Sequence, residues 1–144
     1  MKRTLLIAVL ILIPTMSCRD RVLRSSAPPP VIIISIDTLR SDHLPAYGYR
    51  GVQTPHIDAL RKDSILYERA YSHVPLTLPS HATILTGLLP SGNGIRDNLG
   101  FSLRPDVATL PEILKSAGYR SAAAVSAFVL RGETGLSRGF DSYD

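Results

Sequence analysis

Val31-Ile32-Ile33-Ile34-Ser35-Ile36-Asp37 decides the fold of this 144-residue chain. Five of its first six residues are Val or Ile, and the run shows no polar alternation. A strand with one wet face would alternate, so this pattern predicts a strand covered on both faces, as in a parallel sheet. The run ends on Asp37. In open α/β sheets ligands collect beyond the carboxyl ends of strands, which puts Asp37 where chemistry would occur.

Downstream, helical and strand patterns alternate. Thr54 as N-cap and Pro55 at the first helical position open a helix to Leu66, with Ile57, Leu60 and Ile65 on one side. Ile65–Tyr71 could instead turn into a short strand. Pro79–Leu88 reads as a second helix, with Pro79 at its first position and Gly87 as its stop. Pro90–Gly100 is a Gly/Asn/Ser-rich loop. Thr109-Leu110-Pro111-Glu112 starts another helix, stopped by Gly118, and Tyr119–Val129 begins as a strand. The class is α/β. No closing strand or helix is read in Gly139–Asp144, so residues 31–144 are expected to be the N-terminal, truncated part of a larger domain.

Upstream lies a leader. Lys2-Arg3 precedes an unbroken apolar run, Leu5–Ile13. Nine residues are too few to span a bilayer, which takes about 20. Residues 1–18 therefore read as a signal peptide. Ser17-Cys18, with the sole cysteine, resembles a bacterial lipoprotein box, although Thr15 stands where that box has Leu. Lipidation of Cys18 would attach the protein to a membrane; ordinary cleavage near Ser17 is the alternative. Export to the periplasm, or anchoring at the outer membrane, is expected. Residues 19–30 end in Ala27-Pro28-Pro29-Pro30 and read as an extended linker. The net charge of +4 belongs to residues 1–30, where Lys2, Arg3, Arg19, Arg21 and Arg24 face only Asp20. Residues 31–144 are neutral and carry no nucleic-acid footprint by net charge.

The chemical signal is densest in Val74–Gly87. A helix start offers free N–H groups and a positive dipole end, which together bind anions. Thr77, two residues before Pro79, brings a hydroxyl there. A nucleophile beside an anion site is what sulfuryl or phosphoryl transfer needs. Taken alone, a Thr at this place is usually a helix cap.

Three stretches together resemble the sulfatase family of the alkaline phosphatase superfamily. They are Val31–Leu44 followed by Tyr47-Gly48-Tyr49 and Thr54–Leu60; Thr77-Leu78-Pro79-Ser80-His81 running to Thr86-Gly87; and Gly94–Asn98. The resemblance implies an alkaline-phosphatase-like three-layer sandwich with a mostly parallel central sheet. It also implies a metal-dependent hydrolase of sulfuric or phosphoric esters.

On that resemblance Asp37 is a ligand of a divalent metal: calcium, or zinc or manganese in a phosphoesterase. The family usually has a second Asp next to it; here Thr38 follows. Thr77 takes the nucleophile position and would share the metal. Family members carry there a Cys or Ser that becomes formylglycine; oxidised threonine would be a ketone, so no formylglycine is expected. A threonine ester of phosphate can be hydrolysed by a second in-line attack, whereas a sulfothreonine lacks the aldehyde-hydrate exit. Phosphoesters are therefore favoured over sulfate esters. His81 replaces the signature Arg and would steady the anion without Arg's bidentate fork. Asn98 would hydrogen-bond the transferred group. Asn93 stands where relatives often have His. Arg40, Asp42 and His43 are expected only to hold the loop after Asp37, and Tyr47 and Tyr49 to pack. The rival readings are a sulfatase-like binding lipoprotein that has lost catalysis, and a phosphoethanolamine-type transferase.

Overall fold

Helix α2, Thr77–Thr86, is the centre of the core. The computed structural model describes residues 28–144. The expected signal peptide, Cys18 and most of the linker lie outside the described residues; Pro28–Pro30 are exposed and irregular. Val31–Asp144 forms one compact unit.

Leu78, Ala82 and Leu85 fall at intervals of four and three residues and share one helix face. Leu78 and Ala82 are fully buried, with Ile95, Leu103, Val107, Leu130 and Leu136 around them. Burying a side chain such as Leu78 contributes about 2 kcal/mol. α2 packs against the short helix α3 (Pro90–Asn93), against α4 (Leu110–Ser116) and against a 3₁₀ turn at Phe128–Leu130. Gly87 ends α2 in the left-handed region, φ 68°, its N–H bonded to the Thr83 carbonyl. That stop agrees with the expectation. The start does not: the helix begins at Thr77, so Pro79 is its third residue. Proline is tolerated throughout a first turn, because those N–H groups have no intrahelical acceptor.

α1 runs from Pro55 to Lys62 and stops short of the expected Leu66. Asp63 and Ser64 N–H groups bond back to Leu60 and Arg61, and the Ser64 hydroxyl takes the Leu60 carbonyl as well. Those bonds close the last turn. Ile65–Tyr71 forms no strand. Within the expected Pro90–Gly100 loop, Pro90–Asn93 forms the single helical turn α3. α4 matches its reading: Thr109 and Glu112 make a reciprocal capping box.

The described sheet has two strands. β1 (Ala122–Ala123) pairs in parallel with β2 (Ser142–Tyr143), Ala122 opposite Ser142. Asp141 N–H to Ser121 O and Val125 N–H to Asp144 O lengthen the ladder. The expectation that Gly139–Asp144 lacks a strand is thereby corrected: two small-residue positions twenty residues upstream supply the partner. The larger correction concerns Val31–Ile36. The run is not a ladder strand, and its residues are exposed, from 53% at Val31 to 80% at Ile34. A buried parallel strand needs neighbours on both sides, and among the described residues none pairs with this run.

Candidate active site

The first helical hydrogen bond of α2 is Ser80 N–H to Leu76 O, at 3.1 Å. Thr77 and Leu78 therefore have N–H groups with no acceptor in the helix, and Pro79 has none to offer. The Leu78 N–H donates to Asn98 Oδ1 at 2.9 Å. The Thr77 N–H has no hydrogen-bond partner among the described residues. Ser72 closes the approach to the helix, its hydroxyl donating to Val74 O at 2.7 Å and lying 3.1 Å from Ser80 Oγ.

Thr77 does not cap. It is the first helical residue, and its Oγ1 donates to the Asp37 carboxylate, 3.2 Å from Oδ2 and 3.3 Å from Oδ1. These are long for O–H···O bonds and are shared by both oxygens. Asp37 sits in a turn closed by Leu39 N–H to Ile36 O, with Thr38 at φ 57°. A β-branched residue rarely adopts that conformation, so the turn carrying the carboxylate is strained. The following loop is held by Arg40, whose guanidinium grips Asp42 through two bonds of 2.9 and 2.5 Å. That hydrogen-bonded pairing lowers the Asp42 pKa and raises that of Arg40. His43 stacks on Tyr49 with ring centroids 5.0 Å apart, and the Tyr47 hydroxyl donates to Tyr67 O.

His81 lies one turn beyond Thr77. Its Nδ1 is 2.8 Å from the Thr77 carbonyl oxygen and its Nε2 is 3.0 Å from Ser35 Oγ. Both ring nitrogens are thus engaged within the protein. Donating to a substrate anion would require Nε2 to give up Ser35. Asn98 keeps its Nδ2 group without a partner among the described residues, beside the free helix start. Asn93 is fully buried: its Nδ2 donates to Leu88 O and its Oδ1 accepts from Ile95 N–H. It pins the turn after α3, which leads into Asn98.

The structure brings Asp37, Thr77, His81 and Asn98 to one end of α2. Sequence reasoning missed Ser35. Its signal was there: Ser35 is the one polar residue in an apolar run, two positions before Asp37. A carboxylate and a hydroxyl are donors suited to a hard cation. They would supply two ligands, and among the described residues no group of three or more His, Cys, Asp or Glu gathers around one point. Asp37 and Thr77 fit a cation as part of a ligand set.

Comparison with known proteins identifies the family. The sulfatase family profile matches residues 29–143. The chain belongs to the sulfatase family. It is similar to the N-acetylglucosamine-6-O-sulfatase of Bacteroides thetaiotaomicron, 31% identical over 106 residues, covering 74% of this chain and 19% of that protein. It is also similar to the human N-acetylgalactosamine-6-sulfatase, 33% identical over 106 residues, covering 65% and 20%. The solved structure of a 2-O GAG sulfatase superposes with a TM-score of 0.58 at 27% identity, covering 69% of this chain and 21% of that one. The fold is the α/β alkaline-phosphatase-like fold. The chain spans about a fifth of the length of the curated relatives it matches.

Proposed function

We propose that this chain carries the nucleophile end of an exported, metal-dependent sulfatase-family ester hydrolase, with Thr77 as nucleophile. The observation that carries the reading is the Thr77 hydroxyl on the Asp37 carboxylate, at the open start of α2. Asp37 accepts the hydroxyl proton's hydrogen bond and so turns the Oγ1 lone pairs toward an incoming ester. The Thr77 N–H and Asn98 Nδ2 supply donors for the developing negative charge. A divalent cation held by Asp37 and Thr77 would lower the hydroxyl's pKa.

In the reaction Thr77 Oγ1 passes its proton to the Asp37 carboxylate and bonds to phosphorus, while the ester P–O bond breaks and the leaving oxygen departs as the alcohol with a proton from solvent. Water then attacks the phosphothreonine, releasing phosphate and restoring the hydroxyl. The absence of an aldehyde-hydrate exit from a threonine ester makes phosphoesters the favoured substrates. The names of the relatives make sugar esters the class to test first. Cys18 remains our candidate for lipidation and membrane attachment.

The test uses the full-length protein with matched sulfate and phosphate monoesters. Turnover should be faster on phosphate, and Thr77→Ala should lower it at least about a hundredfold. Acid quench should trap phosphate on Thr77. Full turnover by Thr77→Ala overturns the nucleophile assignment; faster turnover of sulfate overturns the preference. The rival reading is a binding protein without catalysis. The engagement of both His81 nitrogens favours it, and turnover lost in Thr77→Ala would exclude it.

A further inference from the structure

Two ties, not one, join the segment before Asp37 to the start of α2. Thr77 Oγ1 meets Asp37, and His81 Nε2 meets Ser35 Oγ. Among the described residues these are the hydrogen bonds that hold residues 31–39 to the rest of the unit.

The spacings match. Ser35 and Asp37 are two residues apart, at most about 7 Å along the chain. Thr77 and His81 are four apart on one helix face, with Cβ atoms about 5–6 Å apart. Both pairs can therefore close at once, and each restricts the slide that would break the other.

The ring chemistry fixes direction. The Thr77 carbonyl can only accept, so His81 Nδ1 carries a proton. In the neutral ring Nε2 is then an acceptor, and the Ser35 hydroxyl donates to it. Resting on the reading of Thr77 as nucleophile, we propose that Ser35 is a positioning residue. Its hydroxyl anchors the Nε2 edge of the His81 ring, whose Nδ1–H holds the Thr77 carbonyl and so the backbone from which Oγ1 reaches Asp37. His81 acts through Thr77 in this arrangement, not on the substrate anion.

The test is nitrogen-15 NMR of the His81 ring at neutral pH, with kinetics of the full-length protein alongside. The wild type should show a protonated Nδ1 and an unprotonated, hydrogen-bonded Nε2. Ser35→Ala should leave Nδ1 protonated but remove the hydrogen-bond shift at Nε2, and lower kcat about tenfold to a hundredfold with little change in KM. Ser35→Thr, which keeps the hydroxyl, should restore both. An Nε2–H ring in the wild type overturns the proposal without any variant, as does a Ser35→Ala protein with an unchanged Nε2 shift and kcat. Thr77→Ala separates the two claims. It removes the hydroxyl but keeps the carbonyl, so it should abolish turnover and leave the His81 tautomer intact. Turnover retained there sinks the nucleophile reading, while the ring spectrum still judges Ser35.

Discussion

The Thr77 hydroxyl donates to the Asp37 carboxylate across forty residues of chain, at 3.2 and 3.3 Å. Neither side chain is buried, so solvent competes for both groups and the pair adds little stability. Its consequence is orientation. Asp37→Asn keeps the shape but weakens the acceptor and removes a charge. In the full-length protein it should lower turnover about a hundredfold while the unfolding midpoint barely moves. A variant that keeps wild-type turnover would show that the carboxylate is a bystander.

Thr38 holds a φ of 57° in the turn that presents Asp37. The left-handed region costs a β-branched residue about 1–2 kcal/mol, and glycine escapes that cost while losing more backbone entropy on folding. Thr38→Gly should therefore raise stability by up to about 1 kcal/mol. Urea denaturation decides it. A lower midpoint would mean that the threonine side chain contributes more than its strain costs.

Asn93 is fully buried and bonds both ways, to Leu88 O at 3.0 Å and from Ile95 N–H at 2.9 Å. Asn93→Ala leaves a carbonyl and an amide without partners and should cost about 2–3 kcal/mol. Asn93→His should be no better, because the pocket is closed around a smaller side chain. Calorimetric unfolding of the two variants checks this; a loss under about 0.5 kcal/mol in either would overturn it.

Asp141 joins α4 to the strand pair: Lys115 Nζ donates to it at 2.8 Å and the Ser121 N–H at 3.0 Å. The Lys115 bond first, and the Ser121 bond second, hold its carboxyl below the usual range. A depressed carboxylate stabilises the fold above the ordinary value, about 4, and that contribution is lost as pH falls through the lower folded value. Protection of the Ser121 and Asp144 amides should therefore drop below about pH 4. Asp141→Asn should flatten that drop; an equally steep fall in the variant would assign it to another group.

Local chemistry was legible before any coordinates. Thr109-Leu110-Pro111-Glu112 announced a capped helix because both halves of the cap lie within four residues. The gathering of Asp37, Thr77 and Asn98 was legible only through the family resemblance, since forty and twenty residues separate the partners. Other features escaped because they are relations between distant residues. The apolar run Val31–Ile36 states what a strand there would want as neighbours, not whether they pair with it. β2 is two residues, too short for the strand preference of Tyr143 to mark it, and is made a strand by pairing with Ala122–Ala123. The start of α2 was misplaced because a proline fits any position of a first turn.

Asn98 and Asp37 reach α2 by loops of different length, twenty residues against forty. Closing the longer loop costs about 0.6 kcal/mol more in chain entropy. The longer loop also ends in an exposed segment, whereas Asn98 follows the buried Ile95. Local opening of the molecule is therefore expected to release the carboxylate before the amide. On that ordering the helix start keeps its anchor, and the acceptor of the threonine hydroxyl is the part whose hold is weakest.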